Sequence, residues 1–254
     1  MRKSAIFLLF VAFCLTILGL SAQGGIAVPP QTARPKTEAE GKQKPEDSKQ
    51  RPVAKSKVYL LHSDLLRKDA THPDAQIVTG NVRFRHDSVY MYCDSACYYD
   101  KVSSFEAFGN VKMVQGDTLF LYGDRLYYDG LTQIAEMRCN VRMENRTTTL
   151  LTDSLNYDRV YNLGYFFDGG TLMDEQNVLT SEWGEYSPQT KQSVFNYNVK
   201  LVNPQFTLTS DTLRYNTASK VADIVGPSDI WSDANHIYSE KGTYNTVTGK
   251  ADLY

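Results

Sequence analysis

An acidic residue followed four positions later by tyrosine recurs along the chain at a nearly constant interval. From Asp94 onward the steps between successive acids are 30, 29, 29, 29 and 29 residues. A period of this length predicts one structural unit stacked on itself, not a fold with one unique centre. An earlier acid extends the series by one step, with a lysine in place of its tyrosine. The ladder acids are Asp64, Asp94, Asp124, Asp153, Glu182, Asp211 and Glu240.

Residues 111–129 represent the repeating unit. Apolar and polar side chains alternate on either side of a Gln-Gly-Asp turn, which is the period-two pattern of β-strands. The alternation changes parity across Gly123-Asp124, and this predicts a bend or bulge at each acid. Each repeat is therefore predicted to contain two antiparallel strands, each bent near its middle. We expect the ladder carboxylates to accept backbone N–H bonds at these corners.

Apolar columns recur on both sides of the predicted bends. They predict inward rows between two sheets that meet along a fold, a sandwich or jelly roll with an elongated apolar groove. Met and Phe adapt to flexible acyl chains, but the residues alone leave open whether the columns are a core or line a lipid groove. The groove candidates are Met91, Met113, Leu121, Met137, Met143, Leu150, Phe166, Met173, Leu179, Phe195, Leu208 and Ile237.

Composition divides the chain into three parts. Residues 1–23 read as a secretory signal peptide, and residues 24–57, rich in Pro, Lys and Glu, as a disordered linker. Residues 58–254 form the repeat domain, whose 17 Lys and Arg against 25 Asp and Glu argue against a nucleic-acid partner. The 29-residue step from Ala222 to Ala251 places the next break beyond Tyr254, so we expect the chain to be shortened from a longer repeat protein.

The sequence offers little support for a catalytic or metal site. Neighbouring ladder acids should lie about 9 to 10 Å apart, too far to share one calcium ion. The four histidines match no column, and the chain has neither a Cys-x-x-Cys pair nor a Gly-rich phosphate loop. We therefore expect no enzyme activity, no cofactor and no metal. The tyrosine column either stabilises the sheets or lines the rim of the groove.

The representative unit also resembles a known family. Gly109-Asn110-Val111, Gln115-Gly116 and Gly123-Asp124-Arg125-Leu126, together with Met113, Leu121 and Tyr128-Asp129, are similar to the repeat of the organic-solvent-tolerance (OstA-like) family of periplasmic lipopolysaccharide-transport proteins. The resemblance is strongest between Gly80 and Asp158 and covers most of the repeat domain. Later repeats depart from it, with Asp168 and Tyr197 in place of Gly and with Gly184 and Gly242 in place of Leu.

The resemblance implies an all-β, V-shaped antiparallel jelly roll of about six to seven 29-residue repeats, with two bent strands per repeat. It further implies a non-enzymatic periplasmic carrier of lipopolysaccharide or a similar acylated glycolipid. Such carriers stack on other jelly-roll domains through edge strands as head-to-tail oligomers, and association with the inner or outer membrane stays open.

Two other functions are retained as alternatives. One is a structural or scaffolding repeat protein of the envelope that binds partners through its edge strands, and the other is an enzyme acting on envelope polysaccharide. A filled interior would favour the scaffold, and an open apolar groove the carrier. An acid pair facing a cleft, distinct from the ladder, would favour the enzyme.

Overall fold

The computed structural model describes residues 56–68, 73–233 and 235–254. The predicted signal peptide and all but the last two residues of the predicted linker lie outside the described residues. In the described ranges, no helix is long and apolar enough to cross a bilayer.

The described chain forms one antiparallel sheet of nineteen strands with a single 3-10 turn at Asp100–Val102. The strands are β1 Tyr59–His62, β2 Leu65–Lys68, β3 Gln76–His86, β4 Val89–Tyr99, β5 Ser104–Gln115, β6 Leu119–Asp129, β7 Ile134–Asn145, β8 Thr148–Asp158, β9 Leu163–Phe166, β10 Gly170–Asp174, β11 Asn177–Ser181, β12 Trp183–Tyr186, β13 Gln192–Asn203, β14 Phe206–Asn216, β15 Val221–Ile224, β16 Ser228–Ser232, β17 Asn235–Ser239, β18 Gly242–Asn245 and β19 Ala251–Leu253.

The long strands bend at their middles, as the change of parity predicts. The pairing register shifts between Tyr92 and Ser95 in β4 and between Tyr122 and Arg125 in β6, on either side of a ladder acid. Elsewhere the bend divides one strand into two, as between β9 and β10 or between β11 and β12. A bulge adds an unpaired residue, so the inward face stays inward although the sequence parity changes.

The bends give the sheet two walls. The first wall contains β1, β10, β11, β16 and β17 with the halves of the long strands that pair with them. The second wall contains β2, β9, β12, β15, β18 and β19 with the other halves. Buried side chains of both walls form one continuous apolar cluster. The predicted all-β jelly roll of bent antiparallel strands is confirmed.

Candidate functional site

A single row of apolar side chains runs along the inner face of the first wall. Each member pairs directly with the next across twelve strands. At about 4.8 Å per strand the row is about 50 Å long. Its members in spatial order are Phe84, Met91, Met113, Leu121, Met143, Leu150, Leu172, Leu179, Leu201, Leu208, Ile230 and Ile237.

The second wall faces this row and fills the space in front of it. The rings of Phe84 and Phe105, from opposite walls, stack with centroids 4.1 Å apart. A Cβ added to Gly164 on the second wall would lie 3.2 Å from the sulfur of Met143 on the first. The facing side chains are fully buried and packed at van der Waals distance. The interior described by the structure is therefore a core in its present state.

Eleven of the twelve groove candidates lie on the inner faces of the two walls. The prediction for Met173 is wrong: Leu172 takes the inward position, pairing with Leu150 and Leu179, and Met173 lies on the outer face. Leu172 keeps the regular spacing of 29 residues from both Met143 and Leu201, whereas Met173 is one residue out of this register. Ile237 lies on the inner row but is 47% exposed, because among the described strands β17 pairs only with β16.

The tyrosine column belongs to the interior of the second wall. Tyr128, Tyr157, Tyr186 and Tyr215 are among the largest fully buried side chains of the described protein. Each pairs with a small residue on a neighbouring strand, such as Ala135 beside Tyr128. The small partners leave room for the rings to lie between the walls and to carry their hydroxyls toward the wall tips.

The hydroxyls of this column meet polar side chains from the tips of the first wall. The Tyr128 hydroxyl lies 2.6 Å from Nδ1 of His86. Two repeats later Tyr186 donates to Oδ1 of Asn145 at 3.1 Å, and in the repeat after that Tyr215 donates to Oδ2 of Asp174 at 2.7 Å. We call this line of contacts between the two walls the polar seam: His86, Gln115, Asn145, Asp174, Tyr128, Tyr157, Asn162, Tyr186 and Tyr215.

Side chains hold the polar seam together. Among the described residues, no backbone hydrogen bond joins the tips of the two walls. The contact at Tyr157 runs through Asn162, whose Oδ1 accepts from Tyr157 at 3.2 Å and from Nε2 of Gln115 at 2.8 Å. Burial raises the pKa of Tyr128 and of Tyr157 to about 12. The hydroxyls therefore stay protonated at neutral pH and remain available as donors.

Two lysines occupy equivalent positions 29 residues apart on the polar seam, beside different partners. Lys191 contacts the neutral Asn145, and burial, followed by the nearby Arg146 charge, lowers the pKa of the lysine. Lys220 lies 2.8 Å from both carboxylate oxygens of the fully buried Asp174. Burial alone would lower the pKa of Lys220, but Asp174 and Glu175 raise it above the ordinary value. The later repeat thus contains a charged version of the same contact.

Sequence reasoning missed the polar seam, although the sequence contains a signal for it. His86, Gln115, Asn145 and Asp174 recur at steps of 29, 30 and 29 residues. Each stands two residues after an inward apolar position, so strand alternation points it into the interior. The expectation that the histidines match no column is wrong for His86, which is fully buried on this face.

His86 should make stability sensitive to mild acid. Burial and then the Arg159 charge lower the pKa of His86 in the folded protein. The unfolded chain takes up this proton at about pH 6.5. The contribution of neutral His86 to the free energy of unfolding should therefore be fully present above about pH 6.5 and should be lost as the pH falls toward the pKa of His86 in the folded protein. Thermal unfolding between pH 7.5 and 5 should show this loss in the wild type and in His62→Gln, an exposed-histidine control. An equally steep loss in His86→Gln would contradict the assignment.

The chain itself crosses the polar seam at one end. Ser56 donates to Oδ2 of Asp87 at 3.2 Å on the first wall, and Lys57 pairs with Oδ1 of Asp100 at 2.9 Å on the second. Val58, between the strand tips, is fully buried. These contacts begin two residues before the predicted start of the repeat domain.

The ladder acids lie at the outer corners, exposed to solvent. Side-chain amides, not backbone N–H groups, are the main donors to them, which corrects the predicted partner. Asn81 donates to Asp64 at 3.0 Å and Asn110 to Asp94 at 2.8 Å. Equivalent pairs join Asn140 to Asp124 and Asn198 to Glu182 at 2.5 Å, and the backbone N–H of Asn140 donates to Asp153 at 3.2 Å.

Two successive left-handed residues build each of these corners. The first has a φ of 79° at Gly80 and 74° at Gly109, but Cys139 and Tyr197 occupy the same position with φ of 63° and 66°. A side chain in this conformation costs about 1 to 2 kcal/mol that glycine avoids. The departures from Gly in these repeats thus keep the corner geometry and add backbone strain.

Relieving this strain should stabilise the protein. Tyr197→Gly should raise the free energy of unfolding by about 1 kcal/mol, since the exposed ring contributes little packing. The reverse change, Gly109→Ala, should destabilise, because its Cβ would lie 2.5 Å from Oδ2 of Asp94. Chemical denaturation of both variants measures this, and a destabilised Tyr197→Gly protein would contradict the strain argument.

A shallow depression lies on the outer surface near one corner. Its lining includes Asp153 and Asp168, and the first of these is a ladder acid already bonded to Asn140. Among the described residues, no group of three His, Cys, Asp or Glu side chains could hold a metal ion.

Residues 55–211, more than half of the 254, match the family model described as OstA-like protein. Among solved structures, the chain is similar to LptH from Pseudomonas aeruginosa, described as the LptA homologous periplasmic component of the conserved lipopolysaccharide transport device. The identity is 10%, the match covers 54% of this chain and 93% of LptH, and the TM-score is 0.37. No curated protein matches the chain.

Proposed function

The chain belongs to the OstA-like family, and from this membership we propose that it binds lipopolysaccharide or a similar acylated glycolipid and carries it across the periplasm toward the outer membrane. The protein acts as a carrier and not as an enzyme. The predicted signal peptide supports the periplasmic location.

The observation that carries the proposal is the inner row of the first wall. It presents an unbroken apolar surface about 50 Å long, rich in Met and Leu and without a polar side chain among its twelve members. Flexible Met side chains such as Met91, Met113 and Met143 repack around ligands of variable shape. Such a surface suits several acyl chains lying along the walls.

Entry of a lipid requires the walls to separate at the polar seam. At the corners, continuous backbone pairing and acid–amide bonds hold the walls together, but side-chain contacts alone join the tips in the described residues. Each neutral hydrogen bond of this kind contributes about 0.5 to 1.5 kcal/mol net, whereas the ion pair between Lys220 and Asp174 holds the later part of the seam more tightly. The seam is therefore the weakest line along which the interior can open.

The end strands support head-to-tail stacking on other jelly-roll domains. In the described ranges, β1 and β2 pair only with β3, while β17 pairs only with β16 and β19 only with β18. Leu66, 47% exposed, and Ile237, 47% exposed, lie on inner rows at opposite ends of the sheet. Strand addition at these edges would cover both and make the interior continuous between domains.

A scaffolding role remains the second candidate, because one observation favours it. The interior is filled by buried side chains from both walls. A protein that binds partners only through its edge strands would keep this core closed. The two functions differ in whether acyl chains ever replace wall-to-wall contacts.

A variant that weakens the polar seam but keeps the tyrosine rings distinguishes the carrier function from the scaffolding function. The double variant Tyr157→Phe with Tyr186→Phe removes two hydroxyl contacts between the walls. We expect fluorescent lipopolysaccharide to associate several-fold faster with this variant in stopped-flow measurements, because opening becomes easier. The matched control is Tyr90→Phe with Tyr127→Phe, whose rings are exposed on the outer faces of the two walls. Equal rates for both variants and the wild type, or no binding at all, would favour the scaffold.

A further inference from the structure

A second row of side chains crosses the outer face of the first wall. Arg83, Tyr92, Lys112, Tyr122 and Arg142 pair in this order from β3 to β7, so cations and aromatic rings alternate along one line. We call these five residues the cation–aromatic row. It spans four inter-strand spacings, or about 19 Å.

In the second half of the row, Lys112 and Arg142 contact the ring of Tyr122 between them. The guanidinium carbon of Arg142 lies 4.3 Å from the ring centroid of Tyr122, and Nζ of Lys112 lies 5.5 Å from the same centroid. Nζ of Lys112 also lies 5.4 Å from the ring centroid of Phe120, which belongs to the next row. These contacts restrain the side chains of Lys112 and Arg142 on the sheet, which lowers the entropy lost when they bind an anion.

The positive charge of the row is unusual on this domain. Residues 58–254 contain 17 Lys and Arg against 25 Asp and Glu. The carboxylates near the row are already engaged. Glu144 pairs with Nη1 of Arg142 alone, so an anion can approach the guanidinium through Nη2, while Asn110 and Asn140 donate to the ladder acids beside Tyr92 and Tyr122. Within the described ranges, no carboxylate forms an ion pair with Arg83 or Lys112.

We propose that the cation–aromatic row is a binding site for an anionic saccharide whose phosphate or carboxylate groups pair with Arg83, Lys112 and Arg142. The cations stand on alternate strands, about 10 Å apart, and each interval contains a tyrosine ring. Guanidinium and ammonium groups pair with phosphate through charge-assisted hydrogen bonds. The flat rings between them provide rigid apolar surfaces for the faces of sugar rings, with hydroxyls at the edge for hydrogen bonds.

Other polyanionic partners fit the row less well. A nucleic acid would meet the net negative charge of the whole domain. A membrane surface would favour a broad basic patch with apolar side chains for insertion, whereas this row is one residue wide. An acidic peptide adding as a strand would need an open edge, and the row lies on the sheet face within β3–β7.

This inference deepens the proposed function, because the natural cargo it implies is the sugar and phosphate portion of the same glycolipid. The acyl chains would occupy the interior, and the row would hold the headgroup portion of the same or a neighbouring cargo molecule. The inner row of the first wall contains no Lys or Arg to neutralise a phosphate. The row supplies this chemistry on the other face of the same strands.

Calorimetry with deacylated lipopolysaccharide tests the site, since this probe keeps sugars and phosphates but lacks the chains that the interior would bind. Using the full chain, we expect the variant Arg83→Gln, Lys112→Gln, Arg142→Gln to bind the probe at least tenfold more weakly than the wild type. The control variant Arg67→Gln, Arg125→Gln, Arg214→Gln removes three exposed charges from the second wall. The affinity of this control variant for the probe should stay within twofold of the wild-type affinity.

The proposal would be overturned by absence of wild-type binding, by equal loss in both triple variants, or by wild-type binding to phosphatidylglycerol vesicles without binding to the deacylated probe. The last result would assign the row to a membrane surface. A dephosphorylated probe that bound as tightly as the phosphorylated one would also contradict the pairing. Failure of this test would not bear on the proposed binding of acyl chains in the interior, because the probe has no acyl chains.

Discussion

Replacing Lys220 with methionine should lower the free energy of unfolding by about 3 to 5 kcal/mol. The change leaves the Asp174 carboxylate, fully buried, without the ammonium that contacts both of its oxygens at 2.8 Å. For a domain of this size the melting temperature should fall by about 10 °C. Differential scanning calorimetry measures the loss.

The neighbouring repeat provides a matched control. Lys191 stands 29 residues earlier and contacts the neutral Asn145, so Lys191→Met should cost no more than about 1.5 kcal/mol. Adding Asp174→Asn to Lys220→Met should recover most of the lost stability, since it removes the unpaired buried charge. Equal losses from the two lysine variants, or no recovery in the double variant, would contradict the buried ion pair as the cause.

Restoring the leucine of the family repeat at Gly184 should destabilise the protein by about 3 kcal/mol. A Cβ at this position would lie 2.6 Å from Cζ of Phe166 and 3.1 Å from Cδ1 of Phe195. Both rings are fully buried, so neither can move without breaking packing elsewhere. The absence of a side chain at Gly184 therefore leaves the room that the ring of Phe166 occupies.

A double-mutant cycle with Phe166→Leu isolates this contact. Gly184→Leu should cost much less in the Phe166→Leu background than in the wild type, because the smaller side chain vacates the space. Gly226→Ala serves as the control and should be nearly neutral, since nothing lies within 4 Å of its added Cβ. Chemical denaturation gives all four stabilities, and strictly additive losses would contradict the clash.

Much of the fold could be predicted because each repeat restates the same pattern. The parity change at Gly123-Asp124 predicted a bulge that the register shift between Tyr122 and Arg125 confirms. Repetition also placed eleven groove candidates on inner faces, since a column is a stronger signal than one position. The exception is Met173, which stands one residue beyond the regular 29-residue step from Met143 to Leu172, and a shift of one residue turns a side chain to the other face.

The polar seam and the corner donors were harder to predict. Asn145 and Asp174 stand at inward positions, yet polar residues near strand ends ordinarily indicate turns. Their role depends on a tyrosine about 41 residues away, as in the contacts of Tyr186 with Asn145 and of Tyr215 with Asp174. This separation follows from the stagger between the walls, which a sequence period alone does not specify. The side-chain amide donors to the ladder acids likewise come from a neighbouring strand, about 16 residues away.

Photo-crosslinking in cells of a double-membraned bacterium tests the proposed carriage of acyl chains in the interior most directly. A photoreactive residue would replace Leu121, Leu150 or Leu179 on the inner row, or Val178 or Val202 on the outer face away from the cation–aromatic row. We predict lipopolysaccharide adducts at the three inner positions and none at the two outer ones. Adducts confined to Val178 and Val202, with none at the inner leucines, would contradict the account.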